Sequence, residues 1–156
     1  MSTSEDSKHA VQVRYSERNL PLNECCNEYI HEILQDWAKH ESEYTVVPLK
    51  RVKIALFPLL VVLREQQLRP VQLEQLARVL DATVDKDFVQ AKQEYLTLSI
   101  GKAKFPIGLS NVGIHERKQR QQDASAEEQQ NMVLDDWCIN VKRLVNFQQW
   151  RANVRT

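Results

Sequence analysis

All three glycines of this chain, Gly101, Gly108 and Gly113, fall in one stretch, Gly101 to Gln122, GKAKFPIGLSNVGIHERKQRQQ. A chain of this length and average composition carries roughly a dozen, spread over its turns. Glycine serves where the backbone takes a positive φ or must approach something closely, so that freedom is concentrated in one place. The stretch also holds Pro106 and is basic: Lys102, Lys104, Arg117, Lys118 and Arg120 are opposed only by Glu116, with His115 able to titrate. Yet Phe105, Ile107, Leu109, Val112 and Ile114 give it an apolar content that a plain linker does not need. The pattern predicts a long, partly ordered loop, and loops beyond about 12–15 residues in a compact domain are usually functional or disordered.

Around that loop the chain reads as helices. Its 156 residues suit a single domain with one core, and the formal net charge of zero leaves no whole-protein field to steer it toward nucleic acid or membrane. Any such contact must come from a local patch. No apolar run approaches the roughly 18 residues of a membrane span. Cys25, Cys26 and Cys138 are odd in number and two are adjacent, which predicts reduced thiols rather than a disulfide framework. The start, MSTSEDSKHA, is unlike a signal peptide, so cytosol or nucleus is expected.

Residues 1–20, with little but Ser, Thr, charge and isolated valines, are expected to be a flexible leader, and 21–156 the folded domain. Cys26, Tyr29, Ile30, Ile33, Leu34 and Trp37 recur at helical spacing and predict helix one over about Leu22 to Ser42. Pro48 opens helix two, which reaches about Gln67; it is apolar almost all round from Ile54 to Leu63, hence expected to be central and buried, with a bend at Pro58. Pro70 opens helix three, with Leu73, Leu76, Ala77, Val79 and Leu80 as its buried face. Asp85 is expected to cap helix four, whose apolar set is Phe88, Val89, Ala91, Tyr95, Leu96 and Leu98, and which should end where the loop begins. Ser125 with Glu128 matches a capping box for helix five, with Leu134, Trp137, Val141, Leu144 and Val145 inward. The fold expected is all-α: a five-helix, bundle-like domain with a long loop, about 101–124, between helices four and five.

Catalytic patterns fail on inspection. The glycines lack the spacing of a phosphate-binding loop, and no strand precedes them. Ser110, His115 and Asp123 share one segment with nothing to orient them as a triad. Cys25, Cys26 and His31 lack the second ligand pair of a zinc site, so neither metal nor cofactor is expected. Trp37 and Trp137 read as core, Trp150 less clearly so. The Arg117–Arg120 cluster is either a solvated loop end or a contact for RNA phosphate or an acidic protein surface.

The segment Tyr95 to Arg117, YLTLSIGKAKFPIGLSNVGIHER, resembles the signature of the pre-mRNA-splicing factor 18 family, with Phe105 where that pattern carries Trp. Tyr29–Leu34, Ala55–Leu60 and Lys142–Trp150 match further family segments in the same order. The resemblance implies the family's C-terminal domain: five helices, a conserved loop between the last two, and no catalytic residue of its own. It further implies a nuclear factor of the second transesterification of splicing, associated with the U-five small nuclear ribonucleoprotein and other spliceosome core proteins. There the loop would reach pre-mRNA or small nuclear RNA near the 3′ splice site. Its carriers here would be Gly101, Lys102, Lys104, Phe105, Pro106, Ile107, Gly108, Val112, Gly113, Ile114, His115, Arg117, Lys118 and Arg120. A second-step partner carrying a zinc knuckle is expected on the outward side of helices one and two, at His31, Gln35, Asp36, Arg51 and Lys53. The alternative is a helical scaffold whose basic loop docks on an acidic protein surface without touching RNA.

Overall fold

A computed structural model describes the backbone of residues 8–104 and 124–155. Six α-helices follow one another among the described residues: α1 Ala10–Arg14, α2 Leu22–Lys39, α3 Leu49–Arg64, α4 Pro70–Val84, α5 Phe88–Lys104 and α6 Ala124–Arg155, with a 3-10 turn at Ser16–Arg18. No strand occurs among the described residues, so the all-α expectation holds. The five expected helices are α2 to α6. Helix α6 packs on α2, α3 and α5, while α4 packs on α5 and α2.

The α2 stripe is buried as its spacing predicts, with Cys26, Ile30, Ile33 and Trp37 in the core. Two amides fix its register on α3. Asn23 Nδ2 donates to the Leu63 carbonyl at 2.8 Å, and Asn27 Nδ2 to that of Leu60 at 3.1 Å. At the far end of α2, Trp37 stacks on Phe147 of α6 with centroids 4.8 Å apart, and Tyr44 meets both rings edge-on. Trp150 joins this cluster from the next turn of α6, partly buried. Such pairs contribute about 0.5–1.5 kcal/mol each beyond their burial. The three cysteines are free and buried, and burial pushes the Cys26 thiol far up, which keeps it protonated and inert.

With every glycine in the 101–113 stretch, the helix ends must turn without one. Helices α3 and α4 both finish in a Schellman pattern: Gln67 N–H to Val62 O at 3.0 Å with Gln66 N–H to Leu63 O at 3.1 Å, then Asp87 N–H to Ala82 O at 2.9 Å with Lys86 N–H to Thr83 O at 3.1 Å. The left-handed positions these motifs need are filled by Gln66, φ 57°, and Lys86, φ 61°. Side chains there cost roughly 1–2 kcal/mol relative to glycine.

Several expectations are corrected. The supposed leader is packed from His9 onward: α1 rests on α2 and α4, and Val11 is fully buried. Its single buried valine, docked by polar contacts to distant carboxylates, left no periodicity to read. Asp85 ends α4, and Asp87 caps α5 by accepting from the Gln90 N–H at 3.2 Å. Helix α3 runs on through Pro58 but is not buried all round, since Ile54 and Phe57 are 65% and 59% exposed. Val89 and Leu96, assigned inward on α5, are exposed as well.

Candidate functional site

Helix α5 does not stop at the first glycine of the motif. It continues to Lys104, placing Gly101, Lys102 and Lys104 in its last turn, and α6 begins at Ala124. A glycine in a helix costs about 1 kcal/mol relative to alanine, an amount that packing further down the helix outweighs. The remaining loop carriers, Phe105, Pro106, Ile107, Gly108, Val112, Gly113, Ile114, His115, Arg117, Lys118 and Arg120, lie outside the described residues.

The two helices on either side of the 105–123 segment, α5 and α6, are tied together. Ala91, Tyr95 and Leu98 of α5 are buried, as are Trp137, Val141 and Leu144 of α6. Lys142 Nζ sits 5.9 Å from the centre of the Tyr95 ring, and Lys92 Nζ donates to Gln149 Oε1 at 2.8 Å. Burial, with the Cys138 thiol beside it, pushes the Tyr95 phenol up to about 12. Along its outer side α5 exposes Val89, Leu96 and Ile100, an apolar stripe at helical spacing that runs up to Gly101.

The face expected from His31, Gln35, Asp36, Arg51 and Lys53 is divided. His31 is half-buried and Gln35 exposed on α2. Asp36, expected on the outward, partner-binding side, accepts from Arg151 Nε at 3.0 Å and lies 3.6 Å from His40 Nδ1. Gln35 and Asp36 line a cavity of about 320 Å³ beneath α6, shared with Lys39, Lys86 and Arg151. Arg51 lies elsewhere, on an open groove of about 630 Å³ between α3 and α6 whose lining includes Lys50, Ile54, Ile139 and Arg143.

That groove combines charge and apolar surface in a way the fold does not require. Lys50, Arg51 and Lys53 are exposed at the N-terminal end of α3, with no acidic residue in its first turn. None has an ion-pair partner among the described residues. The N-terminus of a helix is the positive end of its dipole, so three cations there oppose local stability by a few tenths of a kcal/mol each. Local rules are broken in this way mainly at functional sites. Arg143 Nη1 donates to Asn140 Oδ1 at 3.2 Å, which adds a third cation to Lys50 and Arg51 on the rim, and Ile54 with Ile139 supplies exposed apolar floor. Lys50, Ile54, Ile139 and Arg143 were missed by the sequence reading. The signal available was the run Lys-Arg-Val-Lys where a helix start favours acids.

Comparison with known proteins bears on both regions. A family model described as the Prp18 domain matches residues 22–154, from the first turn of α2 to the last turn of α6. A protein named pre-mRNA-splicing factor 18 from Saccharomyces cerevisiae is 38% identical over 144 residues, covering 89% of this chain and 57% of the relative. The namesake from Schizosaccharomyces pombe is 28% identical over 120 residues, covering 74% of this chain and 35% of the relative. That from Danio rerio is 33% identical over 72 residues, covering 46% and 21%. The chain thus spans little more than half the length of the first relative and about a third of the second. With a domain match running from α2 through α6, the chain belongs to the pre-mRNA-splicing factor 18 family.

Proposed function

We propose that this chain acts as a non-enzymatic pre-mRNA splicing factor in the nucleus. Its role is in the second transesterification, where it holds the 3′ splice site for exon ligation in association with the U-five small nuclear ribonucleoprotein. The carrying observation is the motif Tyr95–Arg117, which begins on α5 and leads toward α6, two helices packed against each other and tied by Lys92 to Gln149. A loop with such a base acts by position. Its cations Lys104, Arg117 and Lys118 are the proposed contacts to RNA phosphate. The α3–α6 groove takes the protein partner, the second-step factor with a zinc knuckle, through Arg51 and Lys53 together with Lys50 and Arg143. Asp36 is withdrawn from that face, because Arg151 already holds it.

A second reading, a scaffold that binds protein alone, draws on the same groove, since unpaired cations beside Ile54 and Ile139 suit an acidic, apolar protein segment. Splicing in extract depleted of the factor and supplemented with variants separates the two. Gly113→Val and the triple replacement of Lys104, Arg117 and Lys118 by Ala should each accumulate lariat intermediate and free first exon. The triple variant should be worse on a weak 3′ splice site. Crosslinking of the motif to RNA should accompany activity. A defect in the branching step would overturn the positioning role, and full activity without any RNA crosslink would favour the scaffold.

A further inference from the structure

Residues 9–18 sit in the cleft between α2 and α4 as a bound peptide would. His9 uses both ring nitrogens on α4, Nε2 with Glu74 Oε1 at 3.0 Å and Nδ1 with Asp81. The Val11 N–H donates to Asp81 Oδ1 at 2.9 Å, and the valine side chain is fully buried between the two helices. Arg14 pairs with Glu32 of α2 and lies over the Tyr29 ring, 5.3 Å from its centre. Tyr15 donates its hydroxyl to Glu32 Oε1 at 2.7 Å, and Arg18 Nη1 donates to Glu28 Oε1 at 2.5 Å. Each wall of the cleft therefore presents two carboxylates, with an apolar socket between them.

A five-residue helix has no stability of its own, because nucleation is unfavourable and few bonds follow it. The shape of α1 is imposed by the cleft. The segment also lies ahead of residue 22, where the family match begins, whereas both walls lie within that match.

We propose that the cleft between α2 and α4 is a recognition groove for a short, basic, amphipathic segment of a partner protein, and that residues 9–18 are its resident internal ligand, which the partner displaces. The partner segment needs an apolar side chain for the Val11 socket and cations for Glu28, Glu32, Glu74 and Asp81. A tethered ligand acts at an effective concentration of about millimolar, so it screens out weak competitors. This inference is independent of the reading of the α3–α6 groove.

Protonation of His9 sets the grip. The groups facing it are Asp81 and Glu74 of α4, the latter also bonded by Arg78 Nε at 3.2 Å; the Cys26 thiol of α2, which feels both carboxylates, is kept neutral by burial. Burial alone would lower the His9 pKa, but the hydrogen bonds and charges of Asp81 and Glu74 outweigh it and raise it above 6.5. Docking is therefore fully supported below pH 6.5 and loses that support as pH rises through the docked value. The hydrogen bond with His9, aided by Arg78, lowers the Glu74 pKa below 4.5, so its contribution is present above 4.5 and is lost as pH falls through that lowered value.

The test uses a fluorescent synthetic peptide of residues 8–20 and the full chain, wild type and Val11→Asp, with Arg14→Glu/Arg18→Glu as a second released variant. Far-UV circular dichroism checks that each is folded. In Val11→Asp trypsin should cut sooner after Arg14 and Arg18, and to both released variants the peptide should bind about tenfold tighter than to wild type if the resident segment is open a tenth of the time. Binding should weaken from pH 6 to pH 8.5, and a scrambled peptide of the same composition should not bind. Equal binding to wild type and both folded variants, or binding indifferent to sequence, would overturn the proposal. So would a wild-type dimer that exchanges the segment between copies.

Discussion

Two charged regions of this molecule treat their cations in opposite ways. Where residues 9–18 meet α2 and α4, His9, Arg14 and Arg18 each find a carboxylate on another element. At the start of α3, Lys50, Arg51 and Lys53 find none among the described residues and crowd the positive end of a helix. The first arrangement holds the chain's own parts together. The second adds nothing to the fold, and beside Ile54 and Ile139 it offers both charge and apolar area to something outside. Whether a charge is matched within the chain, rather than how many charges there are, separates the two roles.

An arginine matched within the chain, Arg151 of α6, and an unmatched one, Arg51, should differ most in what their loss does to stability. Arg151, its side chain 17% exposed and bonded to Asp36, should cost about 1–3 kcal/mol when replaced by Ala, because a partly buried carboxylate loses its charged donor. Arg51→Ala should stay within about 0.5 kcal/mol. Urea denaturation midpoints at unchanged slope measure both. Equal losses would erase the distinction.

A smaller effect, of opposite sign, is expected at the helix ends that turn without glycine. Gln66→Gly and Lys86→Gly should each raise stability by about 0.5–1 kcal/mol, since relief of the left-handed side chain exceeds the entropy glycine adds to the unfolded chain. Thermal melts read this directly. Neither change touches the α3 cations, so exon ligation should be unaltered and the frame would prove tunable apart from its binding surface.

Helices α2 to α6 were legible because each one buries a stripe that repeats at 3.6 residues. Trp37 to Cys26 on α2 and Leu76 to Leu80 on α4 needed no tertiary information. What could not be read is tertiary in origin. Val11 is core only because Asp81 and Glu74, some 70 residues away in sequence, draw His9 and its neighbours into the cleft. Val89, Leu96, Ile54 and Phe57 were taken as interior because apolarity marks burial and docking surface alike. Asp36 was assigned to the partner-binding side because its partner within the chain, Arg151, lies on the last helix, 115 residues on. Within the candidate site, residue type and spacing singled out the motif and, on α3, Arg51 and Lys53, whereas Lys50 and the groove between α3 and α6 had to be seen.

The most direct measurement is the ratio of spliced product to lariat intermediate in factor-depleted extract supplemented with Arg51→Glu/Lys53→Glu, at a temperature well below its melting point. Acidic side chains near the start of α3 suit the helix dipole and should leave the melting temperature unchanged or slightly raised. Exon ligation should nonetheless fall by about tenfold or more, equivalent to at least 1.4 kcal/mol of lost association, while branching proceeds at the wild-type rate. Wild-type ligation by this variant, or a loss of ligation that merely follows a lowered melting temperature, would contradict the assignment of the unmatched cations to a partner.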